Sequence, residues 1–429
     1  MKVLVIGKGG REDAILTFLK KSKEIKKLYC LPGNANTKNK AENVNISEMD
    51  NEKIVEFVKK EKINYVVVTP DNPLSNGLVD DIEKIGVSCF GPNKKAAKIE
   101  SSKIFAKNLM KKYNIKTADF EVFYNCEKAL KYAENLEKFP IVIKADGLAF
   151  GKGVIIANNK EKAKETIIDM MQNEKFKESG KNIVIEEYLQ GVEVSLLTFT
   201  DGKTIKPMVS SMDHKRALEN DKGLNTGGMG VIAPNPFYTK EIAKICEEEI
   251  LKPTIDAMQE EGSPFKGCLY FGLMITKNGP YVIEYNCRFG DPETQAVLPL
   301  LKTDLFKIMK ATSEGNLKDL EIEFEKKNCA CIILTSKGYP EKYETGFEIS
   351  FNQKEEENVF IFHSGTKLKN NKVLTDGGRV IACSCVANTL ENAIKKAYEV
   401  AEKIEFKNKF YRKDIGKKAL DFLILTNKI

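Results

Sequence analysis

The chain is 429 residues long, 42% hydrophobic and 30% charged, which sets aside a disordered chain and leaves room for about three domains of ordinary size. Its 68 basic and 61 acidic residues give a formal charge of +7, spread along the chain rather than gathered in an arm, a pattern that suits phosphorylated small molecules and argues against a nucleic-acid track. No apolar run approaches the roughly 18 residues of a membrane span, and with only two histidines, His214 and His363, any divalent ion is expected on oxygen ligands.

The first segment, MKVLVIGKGG, is too short in its apolar part for a signal peptide and reads as a strand, so a cytoplasmic location is expected. Strand and helix then alternate to about residue 100: a helix from Arg11, a strand at Leu28 to Cys30, a helix from Glu52, the continuous apolar run at Val66 to Val68, a helix at Leu78 to Ile85 and the strand VSCF. Continuous apolar strands between amphipathic helices predict a doubly wound, Rossmann-like α/β domain over 1–101. Ser101 or Ser102 is placed to cap the next helix. From there the order changes to FEVF, a helix at Glu127 to Leu136, FPIVIKA, a glycine-rich turn, GVIIA, a helix from Lys160 and IVIEEYL, which predicts a small α+β lobe over about 120–190. Asp201-Gly202 and Asn278-Gly279 mark two tight hairpins, with a helix from Thr239 to Glu260 between them. After about residue 325 the pattern becomes a C-terminal α+β module ending in an amphipathic helix at Leu390 to Ile404. The expected domains are thus 1–101, 102–325 and 326–429. The ten cysteines form no CxxC; Cys329/Cys331 and Cys383/Cys385 each share a strand face and are expected to be buried thiols in a reducing compartment.

Four segments carry residues suited to chemistry. Gly7-Lys8-Gly9-Gly10-Arg11-Glu12 follows the first strand and opens a helix, where exposed N–H groups make an anion site, although a tight turn explains it as well. Glu12 stands where the dinucleotide fingerprint requires its third glycine, which argues against a nicotinamide dehydrogenase. Lys144-Ala-Asp-Gly-Leu-Ala-Phe-Gly-Lys-Gly153 lacks the Walker spacing but has the glycines and lysines of a lid over a polyphosphate. In Glu284-Tyr-Asn-Cys-Arg288, strand alternation aims Glu284 and Asn286 to one side, as magnesium bound by oxygens requires, and Arg288 is within reach of the same cleft. Asp213-His-Lys-Arg216 and Asn225-Thr-Gly-Gly-Met-Gly230 offer both charges and free backbone to a zwitterion, while nothing in the sequence makes His214 a general base.

In order along the chain, GKGGRED, LPGNANT, PDNPLSNGLVDD, FGPN, ESSKIFAK, KADGLAFGKGV, VIEEYLQGVEVS, SSMDHKR, NTGGMG, GCLYFGLMI, VIEYNCRFGDPETQ, FHSGTKL, DGGRV and FYRKDIG resemble the phosphoribosylamine–glycine ligase (glycinamide ribonucleotide synthetase) family of the ATP-grasp superfamily. The likeness covers essentially the whole chain, and EYNCRFGDPETQ and NTGGMG are close to unique to that family. It implies an N-terminal pre-ATP-grasp domain, a central ATP-grasp domain with a mobile lobe and a C-terminal α+β domain. The activity implied is ATP-dependent ligation of glycine to 5-phosphoribosylamine through glycyl phosphate, by a monomer, with Mg2+ or Mn2+, in purine biosynthesis. The resemblance further implies Lys103, Lys144, Gly147, Gly151, Lys152 and Gly153 around the ATP phosphates, Glu186, Glu187, Tyr188 and Leu189 at the adenine, and Glu193 on the ribose. Glu284 and Asn286 would hold the metal, and Arg288 and Asp213 would serve the acyl phosphate and glycine, with Gly227 and Gly228 alongside. Gly9, Gly10, Arg11, Asn34, Lys367 and Arg379 would meet the phosphate of phosphoribosylamine. The chain departs from the family pattern at Asp13, usually His, at Thr69 and Asp71, usually Gly and Glu, and at Phe150, usually small. A formate- or bicarbonate-activating ATP-grasp enzyme is disfavoured by NTGGMG with NCRFGDPETQ. A nucleotide-binding regulator without catalysis is disfavoured by the intact Glu284, Asn286 and Arg288.

Overall fold

Both faces of the first strand are apolar. Val3 and Val5 pack into one core while Leu4 and Ile6 pack into another, which a strand does only when covered on both sides. The computed structural model, which describes residues 1–148, 153–173, 177–352 and 356–426, accordingly begins with a parallel sheet. Strands β1 (Lys2–Gly7), β2 (Lys27–Pro32), β3 (Glu42–Asn43), β4 (Tyr65–Val68) and β5 (Ser88–Phe90) lie in the order β3-β2-β1-β4-β5. The strand order reverses at β1, and a ligand crevice is expected beyond the carboxyl ends of β1 and β4. Helix α1 (Gly10–Leu19) starts there.

The expected small lobe is a four-stranded antiparallel sheet of Phe120–Phe123, Ile183–Glu187, Ile141–Ala145 and Val154–Ala157. Helices Cys126–Asn135 and Lys160–Met171 cover it, and it has a core of its own around Ile143, Ile167 and Ile185. Both hairpins form: Val192–Asp201 pairs with Ile205–Pro207, and Lys266–Thr276 with Gly279–Asn286, joined in one antiparallel sheet. Thr239 caps the intervening helix, which holds a π-helical turn at Glu247–Leu251 before continuing to Glu260.

One sheet crosses the expected border at 325. Met212–Asp213 and Gly230–Ala233, from the middle of the chain, pair in series with Asn328–Ser336, Arg379–Ala387 and Val359–His363. Side chains along Asn328–Ser336 alternate between cores: Cys329, Cys331 and Ile333 face the N-terminal side, whereas Ala330, Ile332 and Leu334 face helix Leu390–Glu402. Cys383 and Cys385 fall in the second core, so the two cysteine pairs lie on opposite faces, and all ten cysteines are free thiols.

Two histidines sit at joints between these parts. The Nε2 of His214 accepts the Gly416 N–H at 3.1 Å, which leaves its Nδ1 to donate to the Gly230 carbonyl at 3.1 Å. The buried Arg412 fastens the same loop by donating to Asp414, Asp221 and the Arg216 carbonyl. At the second joint Asp13, wholly buried, accepts from Lys40 at 2.6 Å, from Asn36 at 2.8 Å and from the His363 backbone N–H at 2.8 Å. Asp13 thus clamps the first helix to the C-terminal sheet.

Burial pushes both histidines down to about 4, so they are neutral when folded and titrate near 6.5 when unfolded. The unfolded chain therefore binds more protons between those values, and stability present above about pH 6.5 is lost as the pH falls towards 4. Urea unfolding across that window should show a shallower pH dependence for His214→Asn than for the parent chain, alongside a lower stability at pH 7; equal slopes would mean that His214 is not held neutral.

Candidate active site

Local structure accounts for the lysines first. Ser102 caps helix Lys103–Lys112 through the Phe105 N–H, so Lys103 and Lys107, four apart, share one face. In the lobe sheet, Val142 is registered with Glu186 and Lys144 with Val184, which makes Lys144 and Glu186 diagonal neighbours on one face. Lys107 and Lys144 both lie 3.0 Å from the Glu186 carboxylate. Its other oxygen, Oε1, is buried without a partner among the described residues. Burial lowers Lys107 to about 8 and also lowers Lys103. Lys103 donates to the Gly147 carbonyl at 2.9 Å, at the foot of the glycine-rich loop.

Glu284 and Asn286 follow on the last strand of the central sheet. Lys215, with Lys144 and Lys103 behind it, holds Glu284 down at about 2 despite its enclosure. Arg288 donates to Asn286 Oδ1 at 3.2 Å and pairs at 3.0 Å with buried Glu100, whose other oxygen accepts the Cys287 N–H. Burial opposes the Arg288 charge, but Glu100 and Asp71 outweigh it and push its pKa up. One carboxylate and one amide oxygen fit a hard divalent cation that keeps phosphate and water as its other ligands. Among the described residues no group of three or more acidic, histidine or cysteine side chains is placed to hold a metal unaided.

At the substrate end, Asp213 faces buried Glu293. Burial and the Glu293 charge push its pKa well up, and its Oδ1 has no partner among the described residues. Gly228 must be glycine: φ is +116°, and a Cβ there would lie 2.6 Å from Asp213 Oδ1. Arg379 reaches in from the C-terminal sheet, bonding the Gly227 and Asp291 carbonyls and pairing with the Asp291 carboxylate at 3.2 Å.

A cleft of about 1550 Å³ joins these groups to the carboxyl ends of β1 and β4. Its walls include Gly9, Arg11, Lys103, Lys144, Gly147, Gly153, Glu186, Glu187, Tyr188, Leu189, Glu193, Asp213, Gly227, Glu284, Asn286, Arg288 and Arg379. The remaining sequence-predicted residues lie elsewhere. Gly10 packs against Gln295 and Ser364. Asn34 donates to the Lys8 and His363 carbonyls, closing a turn behind the wall. Gly228 supports Asp213 from outside the lining, and Lys367 is on a surface hairpin paired with Asp376. Gly151, Lys152 and Phe150 lie outside the described residues. The Gly9 N–H, expected to be open to an anion, is bonded by Glu12 at 2.6 Å, and Glu12 also accepts from Arg11 and Thr69.

Sequence reasoning gave no individual role to Glu48, Glu100, Lys107 and Glu293, and named Lys8, Asp71 and Lys215 only within their motifs; all seven line the cleft. Helical spacing from Lys103 would have found Lys107. The others come together only through tertiary structure.

Comparison with known proteins agrees along most of the chain. Phosphoribosylglycinamide synthetase, N domain, matches residues 1–100; its ATP-grasp (A) domain matches 101–294 and its C domain 329–418. Phosphoribosylamine–glycine ligase of Clostridium acetobutylicum is 50% identical over 97% of the chain and 100% of its own length, and that of Caldanaerobacter subterraneus subsp. tengcongensis is 49% identical over 97% and 99%. Among solved structures, phosphoribosylamine–glycine ligase from Thermotoga maritima superposes with a TM-score of 0.82 at 34% identity, covering 96% of this chain and all of that one. Biotin carboxylase from Campylobacter jejuni, at 14% identity over 95% of this chain and 92% of its own with a TM-score of 0.75, shares the fold alone. With domain matches, relatives and architecture in agreement, the chain belongs to the phosphoribosylglycinamide synthetase family.

Proposed function

We propose that the chain ligates glycine to 5-phosphoribosylamine at the expense of ATP, through glycyl phosphate, giving glycinamide ribonucleotide, ADP and phosphate in purine biosynthesis. The observation that carries the reading is the single cleft that holds lysines suited to polyphosphate, the Glu284–Asn286 oxygens and an unsatisfied acidic cradle at Asp213.

The chemistry follows from charge. A carboxylate is a poor electrophile because it is anionic and would have to expel oxide. Attack of a glycine carboxylate oxygen on the γ-phosphorus breaks the bond to the bridging oxygen and releases ADP. The phosphoribosylamine nitrogen then attacks the acyl carbon, phosphate leaves, and the nitrogen loses a proton. Lys103 and Lys144 neutralise the phosphates, and the unpartnered Glu186 Oε1 suits the adenine amino group. Glu193 takes the ribose hydroxyls, with Glu187, Tyr188 and Leu189 along the adenine. Glu284 and Asn286 would hold Mg2+ or Mn2+, which when bound draws charge from the β- and γ-phosphates. Arg288, fixed by Glu100, stabilises the transferring phosphoryl group. Asp213 and Glu293, aided by Gly227 and Gly228, receive the glycine ammonium. Gly9, Arg11 and Arg379 face the phosphoribosylamine phosphate, while Gly10, Asn34 and Lys367 would have to act from behind or beside the cleft. Gly151, Lys152 and Gly153 would close over the phosphates and limit hydrolysis of the acyl phosphate. We extend the reading to a monomeric cytoplasmic enzyme with domains at 1–101, 102–325 and 326–429. Ten unbonded thiols support the compartment.

ADP release should require glycine, freshly generated phosphoribosylamine and Mg-ATP together. A coupled assay omitting each in turn tests this; release without glycine, or none with all three, sinks the reading. Arg288→Ala should lower kcat by about 10²–10³-fold, with little change in the KM for ATP. Asp213→Asn should raise the KM for glycine while sparing that for ATP. Steady-state kinetics with each substrate varied separates these effects.

A further inference from the structure

The turn that follows Met212–Asp213 also carries Lys215, whose ammonium points toward two carboxylates at the proposed nucleotide end of the cleft. Its Nζ lies 3.2 Å from Glu284 and 3.4 Å from Glu193. These two carboxylates sit on different strands of the central sheet. Under the function proposed above, one is claimed by a divalent ion and the other by the ribose. The backbone at Lys215 is held still, because its carbonyl accepts both the Thr226 N–H at 2.7 Å and the Thr226 hydroxyl at 2.9 Å. Only the flexible side chain is left to move. It is also partly accessible from the cleft, with 29% of the side chain exposed, so leaving the carboxylates does not require the wall to open.

We propose that Lys215 is the resident counter-ion of the nucleotide–metal site, bridging Glu193 and Glu284 in the ATP-free chain and excluding a divalent ion until the nucleotide arrives. The argument is electrostatic and rests on the assignment of Glu284 to the metal. An ammonium on the carboxylate oxygen that a divalent ion would take repels that ion and cancels roughly half of the attraction the carboxylate offers it, so the ion keeps its water instead. ATP changes the balance. Its phosphates bring negative charge that both cations can share, and its ribose takes Glu193, so the ammonium has new oxygens to bond when it gives up Glu284. The metal then enters with the nucleotide and not before it. Lys103 and Lys144 do not substitute for Lys215 in this role. Lys144 is already committed to Glu186 and the Ile283 carbonyl, and Lys103 to the Gly147 carbonyl.

The test is Mn2+ binding, read by electron paramagnetic resonance of the free ion, with and without ADP. The parent chain should bind Mn2+ far more weakly alone than with ADP. Lys215→Met should bind Mn2+ alone about tenfold or more tightly than the parent, and Lys215→Arg, which keeps the charge, should stay close to the parent. Equal affinity of the parent for Mn2+ with and without ADP overturns the proposal and needs no variant that must fold. Unchanged Mn2+ affinity in Lys215→Met, with native circular dichroism, also overturns it. Glu284→Gln separates the two readings. If it binds Mn2+ with ADP as the parent does, the metal assignment itself fails. If it loses that binding while Lys215→Met behaves as the parent, only the counter-ion role falls.

Discussion

The cleft concentrates charge of both signs on side chains largely withdrawn from solvent, and much of the molecule follows from the need to keep each charge paired. Glu186 is shared by Lys107 and Lys144, Glu284 is met by Lys215, and Arg288 is met by Glu100. An unpaired ion in such a place costs several kcal/mol, so these partners are needed in the chain before any ligand enters. The partners come from different layers. Glu100 precedes the helix of Lys103, Lys144 and Glu186 lie in the small lobe, and Lys215 lies on a loop sewn to the C-terminal sheet. Pairing the charges therefore draws the three parts of the chain onto one cleft.

That sewing explains why the C-terminal third matters to a site whose chemistry lies mostly in the middle third. Met212–Asp213 and Gly230–Ala233 are strands of the C-terminal sheet by hydrogen bonding, although they belong to the central segment by position. Arg379, Arg412 and Gly416 then reach back to Gly227, Asp221 and His214. A glycine-rich loop has high conformational entropy, and these contacts limit it on the side away from the ligand. His214 belongs to this support: both its nitrogens are bonded to backbone, and burial keeps it uncharged.

Most of the fold was legible because the local signals agreed. Val66 to Val68 read as a buried parallel strand, Asp201-Gly202 and Asn278-Gly279 as hairpin turns, Thr239 as a helix start and Ser101 or Ser102 as a cap, and each element formed, with Ser102 in the capping place. The sheet that crosses residue 325 was not legible, since two- and four-residue strands in a glycine-rich loop carry no periodicity. In the site, strand alternation placed Glu284 and Asn286 correctly on the cleft wall, and the family likeness supplied Lys144 and Glu186. Glu100 and Glu293 were hidden, and Lys215 was read only as part of a charged quartet, because their importance depends on partners 188, 80 and 69 positions away, respectively, in Arg288, Asp213 and Glu284. Lys367 stands apart from the cleft wall for the opposite reason. Its basic character suited a phosphate, but it lies on a two-stranded surface hairpin whose own Asp376 satisfies it.

Glu12 shows how one residue can settle what a fold binds. The turn after β1 has the glycines and the helix N-terminus that a dinucleotide-binding domain uses for a pyrophosphate. Glu12 bends back over it, taking the Gly9 N–H and the Thr69 hydroxyl, and its side chain fills the space beside Gly7, where a Cβ would lie 2.6 Å away. The helix terminus thus carries its own anion. Lys8, Arg11, Glu48 and Asp71 line this end of the cleft, with the Arg11 guanidinium held by Glu12 and the Phe289 carbonyl. A mixture of cations and hydroxyl-accepting carboxylates suits a sugar phosphate better than a pyrophosphate. Burial and the nearby Glu12 raise the pKa of Glu48. The helix terminus that a pyrophosphate would need is thus filled from within by Glu12.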